Sequence, residues 1–191
     1  MMVPADVAAW RREQRARLIA ARLAMDAAER RRAEHDIRGR LAALLDEFEG
    51  SAIGLYWPVR GEVDVLPLAE TWLARRRLLA LPAVAGRTAP LEYRRWHPGA
   101  AMEPGPFGIP APADATPVRP DILLVPLVGF DDANYRLGYG AGLFDRTLAA
   151  AVPRPTTVGV GFEQGRLASI FPGAHDIALD IIATETGLRR S

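Results

Sequence analysis

The segment Arg136-Leu-Gly138-Tyr139-Gly140-Ala141-Gly142-Leu-Phe-Asp145-Arg146 concentrates the residues of this chain that could do chemistry. Glycines at three alternate positions let backbone N–H groups approach phosphate oxygens, because no Cβ stands in the way. A helix starting after them would add its positive end. Arg136 can offer a forked donor to phosphate. Asp145 can hold a Mg2+ ion that bridges phosphates, since this ion favours one or two carboxylates plus substrate oxygens. The same spacing also occurs in plain tight turns, and Arg136 could equally pair with a surface acid. The pattern is neither the dinucleotide-binding G-x-G-x-x-G nor a phosphate loop built on lysine.

Such a segment works only if a strand delivers it and a helix follows. Residues 122–128 form the most apolar run and are expected to be a central strand of a parallel sheet, with the glycine segment at its carboxyl end, where ligands of open α/β sheets bind. A helix is expected over 141–151. Before these, Asp6 can cap a helix reaching Leu23, and Asp26 with Glu29 resembles a capping box opening a second. Ile37, Leu41, Leu44, Leu45 and Phe48 recur at helical spacing in that second helix, which Gly50 should end. Strands are expected at 52–57, stopped by Pro58, and at 78–84, 91–96, 156–162 and 180–185. Asp64 can cap a helix carrying Leu66, Ala69, Trp72 and Leu73. Residues 98–120, loaded with proline and glycine, are expected to be a functional loop without elements of its own. The reading is one α/β domain over 1–191, a mainly parallel, Rossmann-like layered sheet flanked by helices and led by two N-terminal helices.

Composition narrows the chemistry. The chain has 191 residues, enough for one well-buried domain, and it is about half apolar. It has no cysteine, which removes disulfides, thiolate metal sites and cysteine nucleophiles. It has no lysine either, so all 24 basic residues are arginine and Schiff-base chemistry is excluded. Residues 11–40 carry ten arginines against five acids within a net charge of +1, and the simplest reading is a solvated helical face. That stretch contains no aromatic platform for single-stranded nucleic acid. No apolar run approaches the ~20 residues of a membrane span, and the first residues lack the order of a secretory signal. A cytoplasmic monomer acting on small molecules, without nucleic-acid or membrane partners, is expected.

Residues 136–146, with Val125-Pro-Leu-Val-Gly-Phe-Asp131 before them, resemble the signature of the 5-formyltetrahydrofolate cyclo-ligase family. Three further stretches agree in order and spacing: Tyr56-Trp57-Pro-Val-Arg-Gly-Glu62, Pro104-Gly-Pro-Phe107-Gly-Ile-Pro110, and His175-Asp176 with Asp180. The resemblance implies ATP-dependent closure of 5-formyltetrahydrofolate to 5,10-methenyltetrahydrofolate, with ATP and Mg2+ as cofactors. By the same resemblance Arg136, Gly138, Tyr139, Gly140, Ala141, Gly142 and Asp145 would hold the nucleotide phosphates, and Asp145 with Asp176 the metal. Arg11 or Arg12 falls where the family has a nucleotide-contacting lysine. Tyr56, Trp57, Glu62 and Phe107 would lie on the folate side, and Glu62, Arg136 and Asp145 would be catalytic.

The chain departs from the family pattern at several points. Arginine replaces the lysine, Ala111 stands where an acidic or amide residue follows Gly-Ile-Pro, and Ala141 stands where the family usually has a residue other than alanine. Leu143 and Phe144 replace two tyrosines, and Asn134 stands where glycine is common. These losses leave open a diverged relative acting on another small substrate with ATP, or a binder of reduced folate without turnover.

Overall fold

Two capped helices lead the chain in the computed structural model, which describes residues 3–48, 52–86 and 88–191. Helix α1 (Val7–Leu23) starts where the Asp6 carboxylate accepts the Ala9 N–H at 2.9 Å. Helix α2 (Ala27–Asp46) starts where Asp26 accepts from Ala28 and Glu29. Ile37, Leu41, Leu44 and Leu45 are buried along α2, whereas Phe48 lies beyond its end and packs against the core from there. The expected break at Gly50 lies outside the described residues.

A seven-stranded sheet forms the centre. Its strands are β1 (Ala52–Gly54), β2 (Leu78–Val84), β3 (Leu91–Arg95), β6 (Ile122–Pro126), β9 (Thr156–Val160), β10 (Ile181–Thr184) and β11 (Gly187–Arg190). The order is β11-β10-β9-β6-β1-β2-β3, parallel throughout except at the two edges, β3 and β11. The chain moves outward from β1 to β2 and β3, then returns to place β6 on the other side of β1. The order therefore reverses between β1 and β6, and the loops leaving the carboxyl ends of both strands flank the place where open α/β sheets form their ligand crevice. Alternating side chains split the core into two layers. Ile122 and Leu124 join Ile53, Leu79 and Leu81 beneath α2 and the short helix α3 (Ala69–Ala74). Leu123 and Val125 join Ala80, Tyr93 and Ile182 beneath α4 (Leu143–Ala150).

Several expectations are corrected. The strand expected over 52–57 extends only to Gly54; the Leu55 N–H still donates to the Ala80 carbonyl of β2 at 2.8 Å, and beyond it the chain turns away, with Leu55 and Tyr56 buried in the core. The 98–120 segment is not free of elements: β4 (Met102–Glu103) pairs antiparallel with β5 (Ala111–Pro112), and a single 3-10 turn at Pro106–Gly108 lies between them. Strand β7 (Gly129–Phe130) and β8 (Arg136–Leu137) form a hairpin instead of a simple turn. Buried Asp131 organises it by accepting the N–H groups of Ala133, Tyr135 and, from outside the hairpin, Ile170. The last helix begins at Leu143, two residues late, because Gly140 and Gly142 have φ of 95° and 64°, outside the helical region. Strand β11 appears as an edge that the period of residues 187–190 did not announce.

Asn134 in that hairpin turn has φ of 61° and is 1% exposed, yet neither polar atom of its carboxamide has a hydrogen-bonding partner among the described residues. An unsatisfied buried amide costs about 1–3 kcal/mol, and the left-handed backbone adds roughly 1 kcal/mol for a side-chain-bearing residue. Asn134→Gly removes both terms and leaves a small void. A net gain of about 1 kcal/mol is expected, visible as a melting midpoint roughly 2–4 °C higher. A lower midpoint would show that the carboxamide packs more favourably than its missing partners suggest.

Candidate active site

Arg11, Arg15, Leu18 and Arg22 lie at positions i, i+4, i+7 and i+11 of α1, one stripe of the helix. Leu18 packs against Val128, Leu137 and Ile170, so this stripe faces inward over the β7–β8 hairpin. The arginines on either side of Leu18 are therefore directed at the loops of the crevice. Arg11 donates to the carbonyls of Ile170 and Phe171 and to Asp176 at 2.7 Å. Arg15 Nε donates to the Gly138 carbonyl at 2.7 Å. Arg12 is exposed, one residue round the helix, and takes no part in this cluster. From α2, Arg30 donates to the Gly61 carbonyl at 2.8 Å and Arg38 to that of Asp64 at 3.1 Å. The arginine-rich region is thus only partly the solvated face expected of it. Five of its side chains bind backbone carbonyls of loops next to the sheet.

The glycine segment bends over this arginine row. A Cβ on Gly140 would come within 3.3 Å of Arg15 Cζ, so the guanidinium lies directly against the bare backbone there. Gly142 precedes α4 in a left-handed conformation and supplies no side-chain cap. The first N–H groups of α4 are consequently left for a ligand to satisfy. Behind the loop, Arg136 is 8% exposed and pairs with Asp145 at 2.7 Å, while also donating to the Ile177 carbonyl. Burial lowers the Arg136 guanidinium from its ordinary pKa, and Asp145 offsets part of that effect. Asp145 also accepts the Ile177 N–H. For Asp176, burial pushes the carboxyl up, but Arg11, the Gly173 N–H and Arg136 together hold it below the usual range. Burial and the neighbouring Arg11 charge lower Arg15. The loop therefore sits among the guanidinium groups of Arg11, Arg15 and Arg136 and the two acids, with Arg146 donating to its own Ala141 carbonyl at 2.6 Å.

On the β1 side of the crevice, residues 59–62 make a tight turn in which Arg60 and Gly61 both have positive φ, 49° and 74°. The Glu62 N–H closes it on the Val59 carbonyl, and Glu62 Oε2 accepts the Val59 N–H at 2.9 Å. Glu62 is 6% exposed; no hydrogen bond of ordinary length reaches its buried Oε1, and the Tyr139 hydroxyl acts on the carboxyl from farther off. Burial raises its pKa, offset in part by Val59 N–H, the Tyr139 hydroxyl, Arg22 and Arg60. A buried ionisable group whose pKa burial raises, with an oxygen outside any hydrogen bond, is the kind of residue that reacting sites employ. Tyr139 comes from the glycine segment to meet it: its ring lies under Arg60 at 5.5 Å and its hydroxyl accepts from Arg22 at 2.7 Å. Tyr56 is buried and donates to the Val63 carbonyl, bracing the chain beyond the turn, and Trp57 is half-buried against the core. Phe107 stands apart from this network at the tip of the β4–β5 hairpin, exposed, with φ of 62°.

Among the described residues no three His, Asp or Glu side chains gather as a metal site. Asp145 and Asp176 still suit an ion carried in by phosphates. Each keeps one oxygen, Oδ2 and Oδ1 respectively, that accepts no hydrogen bond among the described residues. Arg15, Arg22 and Arg30 were missed from the sequence because arginine in an amphipathic helix reads as solvent-facing. The signal available was the register of Arg15 and Arg22 with Leu18 on α1, and of Arg30 with Ala33 and Ile37 on α2.

The model of the 5-formyltetrahydrofolate cyclo-ligase family matches residues 7–185, from the first residue of α1 to beyond β10. The chain belongs to that family. A cyclo-ligase of Mycolicibacterium smegmatis is 31% identical over 159 residues, covering 78% of this chain and 79% of its own. The NMR structure of a 5,10-methenyltetrahydrofolate synthetase from Aquifex aeolicus superposes with a TM-score of 0.81 at 32% identity, covering 94% of this chain and 92% of that one. A Mycoplasma pneumoniae synthetase, 22% identical with a TM-score of 0.77, shares the fold over 92% of this chain. Against that background the departures acquire places. Ala111 is buried within β5, opposite Glu103. Leu143 and Phe144 pack half-buried beside the layer under α4, with Arg136 6.0 Å above the Phe144 ring. No helix among the described residues is long and apolar enough to cross a membrane.

Proposed function

We propose that this cyclo-ligase uses ATP to close 5-formyltetrahydrofolate to 5,10-methenyltetrahydrofolate, releasing ADP and phosphate. The observation that carries the reading is that Arg22 ties the Glu62 turn to Tyr139 of an uncapped glycine loop backed by guanidinium groups, while Glu62 keeps one buried oxygen outside any hydrogen bond. A formamide oxygen is a poor leaving group. Transfer of the γ-phosphoryl group to it, with ADP departing, turns it into a good one. The second amine nitrogen of the folate then attacks the formyl carbon and gives up its proton, and the C–O bond breaks to release phosphate.

In this reading Gly138, Gly140, Gly142 and the first turn of α4 cradle the phosphates, with Arg15 and Arg11 from α1 and Arg136 behind. Bound Mg2+ would be held by Asp145 and Asp176 and would neutralise phosphate charge. Glu62 faces the reacting formamide and amine, and its free oxygen is the acceptor for the amine proton. Trp57, Tyr139 and Phe107 offer flat surfaces to the folate, and Tyr56 keeps Glu62 in place from below. The substrates are small molecules, and we read the enzyme as a cytoplasmic monomer.

Purified protein mixed with 5-formyltetrahydrofolate, Mg2+ and ATP should develop the near-ultraviolet absorbance of the methenyl product, and none when ATP is left out. Folded protein that binds ATP but forms no methenyl product would move the assignment to a different acceptor.

A further inference from the structure

Arg22 is 4% exposed and forms no ion pair among the described residues. Taking a guanidinium out of water costs several kcal/mol unless its donors are matched. Here they are matched by three acceptors from three different segments. Nε donates to the Arg60 carbonyl at 3.1 Å, Nη1 to the Leu127 carbonyl at 3.0 Å, and Nη2 to the Tyr139 hydroxyl at 2.7 Å. Arg60 belongs to the turn after β1 that carries Glu62, Leu127 follows the end of β6, and Tyr139 lies between two glycines of the phosphate loop. One planar fork therefore spans the crevice where the strand order reverses. Arg30 reinforces it from α2 by binding the Gly61 carbonyl and the Arg22 carbonyl together. Packing alone does not explain a charge at this point of the stripe, since Leu18 one turn earlier fills the equivalent space with an apolar side chain.

We propose that Arg22 is a positioning residue that fixes the Glu62 turn and the glycine loop at one separation, so that a side chain outside both substrate sites keeps both substrates in register. This rests on the function proposed above. Truncation should let the two walls of the crevice drift, and a displacement of about an ångström costs a reacting pair far more than it costs the fold.

The test measures KM and kcat for both substrates in Arg22→Met, Arg22→Lys, Tyr139→Phe and the double variant Arg22→Met/Tyr139→Phe. Arg22→Met should raise KM for 5-formyltetrahydrofolate and for ATP by about tenfold each. Arg22→Lys should raise both less, because an ammonium keeps the charge but not the fork. Tyr139 is 37% exposed, so Tyr139→Phe tests the same bridge with little burden on folding. It should raise both KM values severalfold, and the double variant should be no worse than Arg22→Met alone. A fall in kcat no larger than the loss of folded fraction read from circular dichroism, with both KM values at the wild-type level, would mean that Arg22 only maintains the folded fraction and would overturn the proposal. Multiplying effects in the double variant would overturn it as well. If wild type itself forms no product, the functional reading fails separately. Calorimetric ATP binding then decides Arg22: weaker binding in Arg22→Lys and Tyr139→Phe supports the bridge, and unchanged binding removes it.

Discussion

Glu62→Gln is expected to give a protein that is nearly inactive and yet more stable at neutral pH. Glutamine keeps the shape of the side chain, and its carbonyl oxygen can still accept the Val59 N–H that the carboxylate holds at 2.9 Å. What disappears is a buried charge and a proton acceptor. Burial is the largest influence on the Glu62 carboxyl and raises its pKa, with Val59 N–H, the Tyr139 hydroxyl, Arg22 and Arg60 pulling partly the other way; Tyr56 beneath it and Arg30 on Gly61 complete its surroundings. A carboxyl with a raised folded-state pKa holds its proton more tightly when folded. It therefore favours folding below its unfolded pKa, and that contribution is lost as pH rises through the folded value. At pH 7–8 the ionised form is a net cost that glutamine does not carry. Melting midpoints should put the variant above wild type at that pH, with the gap closing on acidification. Turnover should fall about 10²–10³-fold, the scale of a positioned base. In wild type the acid limb of kcat/KM should lie above the ordinary carboxylate range. Activity within a few-fold of wild type would take Glu62 out of the chemistry, and a lower midpoint would make its carboxylate structural.

The sequence made the layers legible and left the crevice largely hidden. Helical period and caps located α1 and α2, and the apolar run at 122–128 located the central strand, because burial on both faces demands continuous hydrophobicity. The glycine segment could be singled out by residue type, and Glu62 only through the family resemblance. What could not be read was direction. Arg15 and Arg22 carry the same composition signal as exposed Arg12, and only packing of Leu18 against Val128 and Leu137 turns their stripe inward. The β7–β8 hairpin was hidden for a related reason. Two residues per strand give no periodicity, and its stability comes from Asp131 accepting N–H groups from both inside and outside the hairpin. Gly54 shows the limit from the other side. A Cβ there would lie 2.7 Å from Leu123 and 2.9 Å from Tyr93, so the glycine answers crowding between distant segments rather than a local turn.

Asp145 has two roles to separate, because one carboxylate serves as the counter-charge of Arg136 and as the proposed metal ligand. Breaking a fully buried pair costs about 3–5 kcal/mol, since the surviving charge is stranded. Here the Arg136 side chain is 5% exposed and that of Asp145 is 23%, so water reaches one partner. Asp145→Asn, which can still accept the Ile177 N–H, should then cost about 2–3 kcal/mol, a midpoint lower by roughly 5–10 °C. Activity at fixed Mg2+ should fall about 10²–10³-fold, and raising Mg2+ should recover part of it, because a lost carboxylate weakens the ion's hold. The double variant Arg136→Met/Asp145→Asn separates the two roles. Replacing a buried pair by an apolar side chain and a neutral one relieves the stranded charge, so the midpoint should return toward wild type. If the phosphates and metal depend on this pair, activity should remain at the level of Asp145→Asn or below. If activity returns together with the midpoint, the pair only supports the loop, and the phosphates are held by the α4 N-terminus with Arg11 and Arg15.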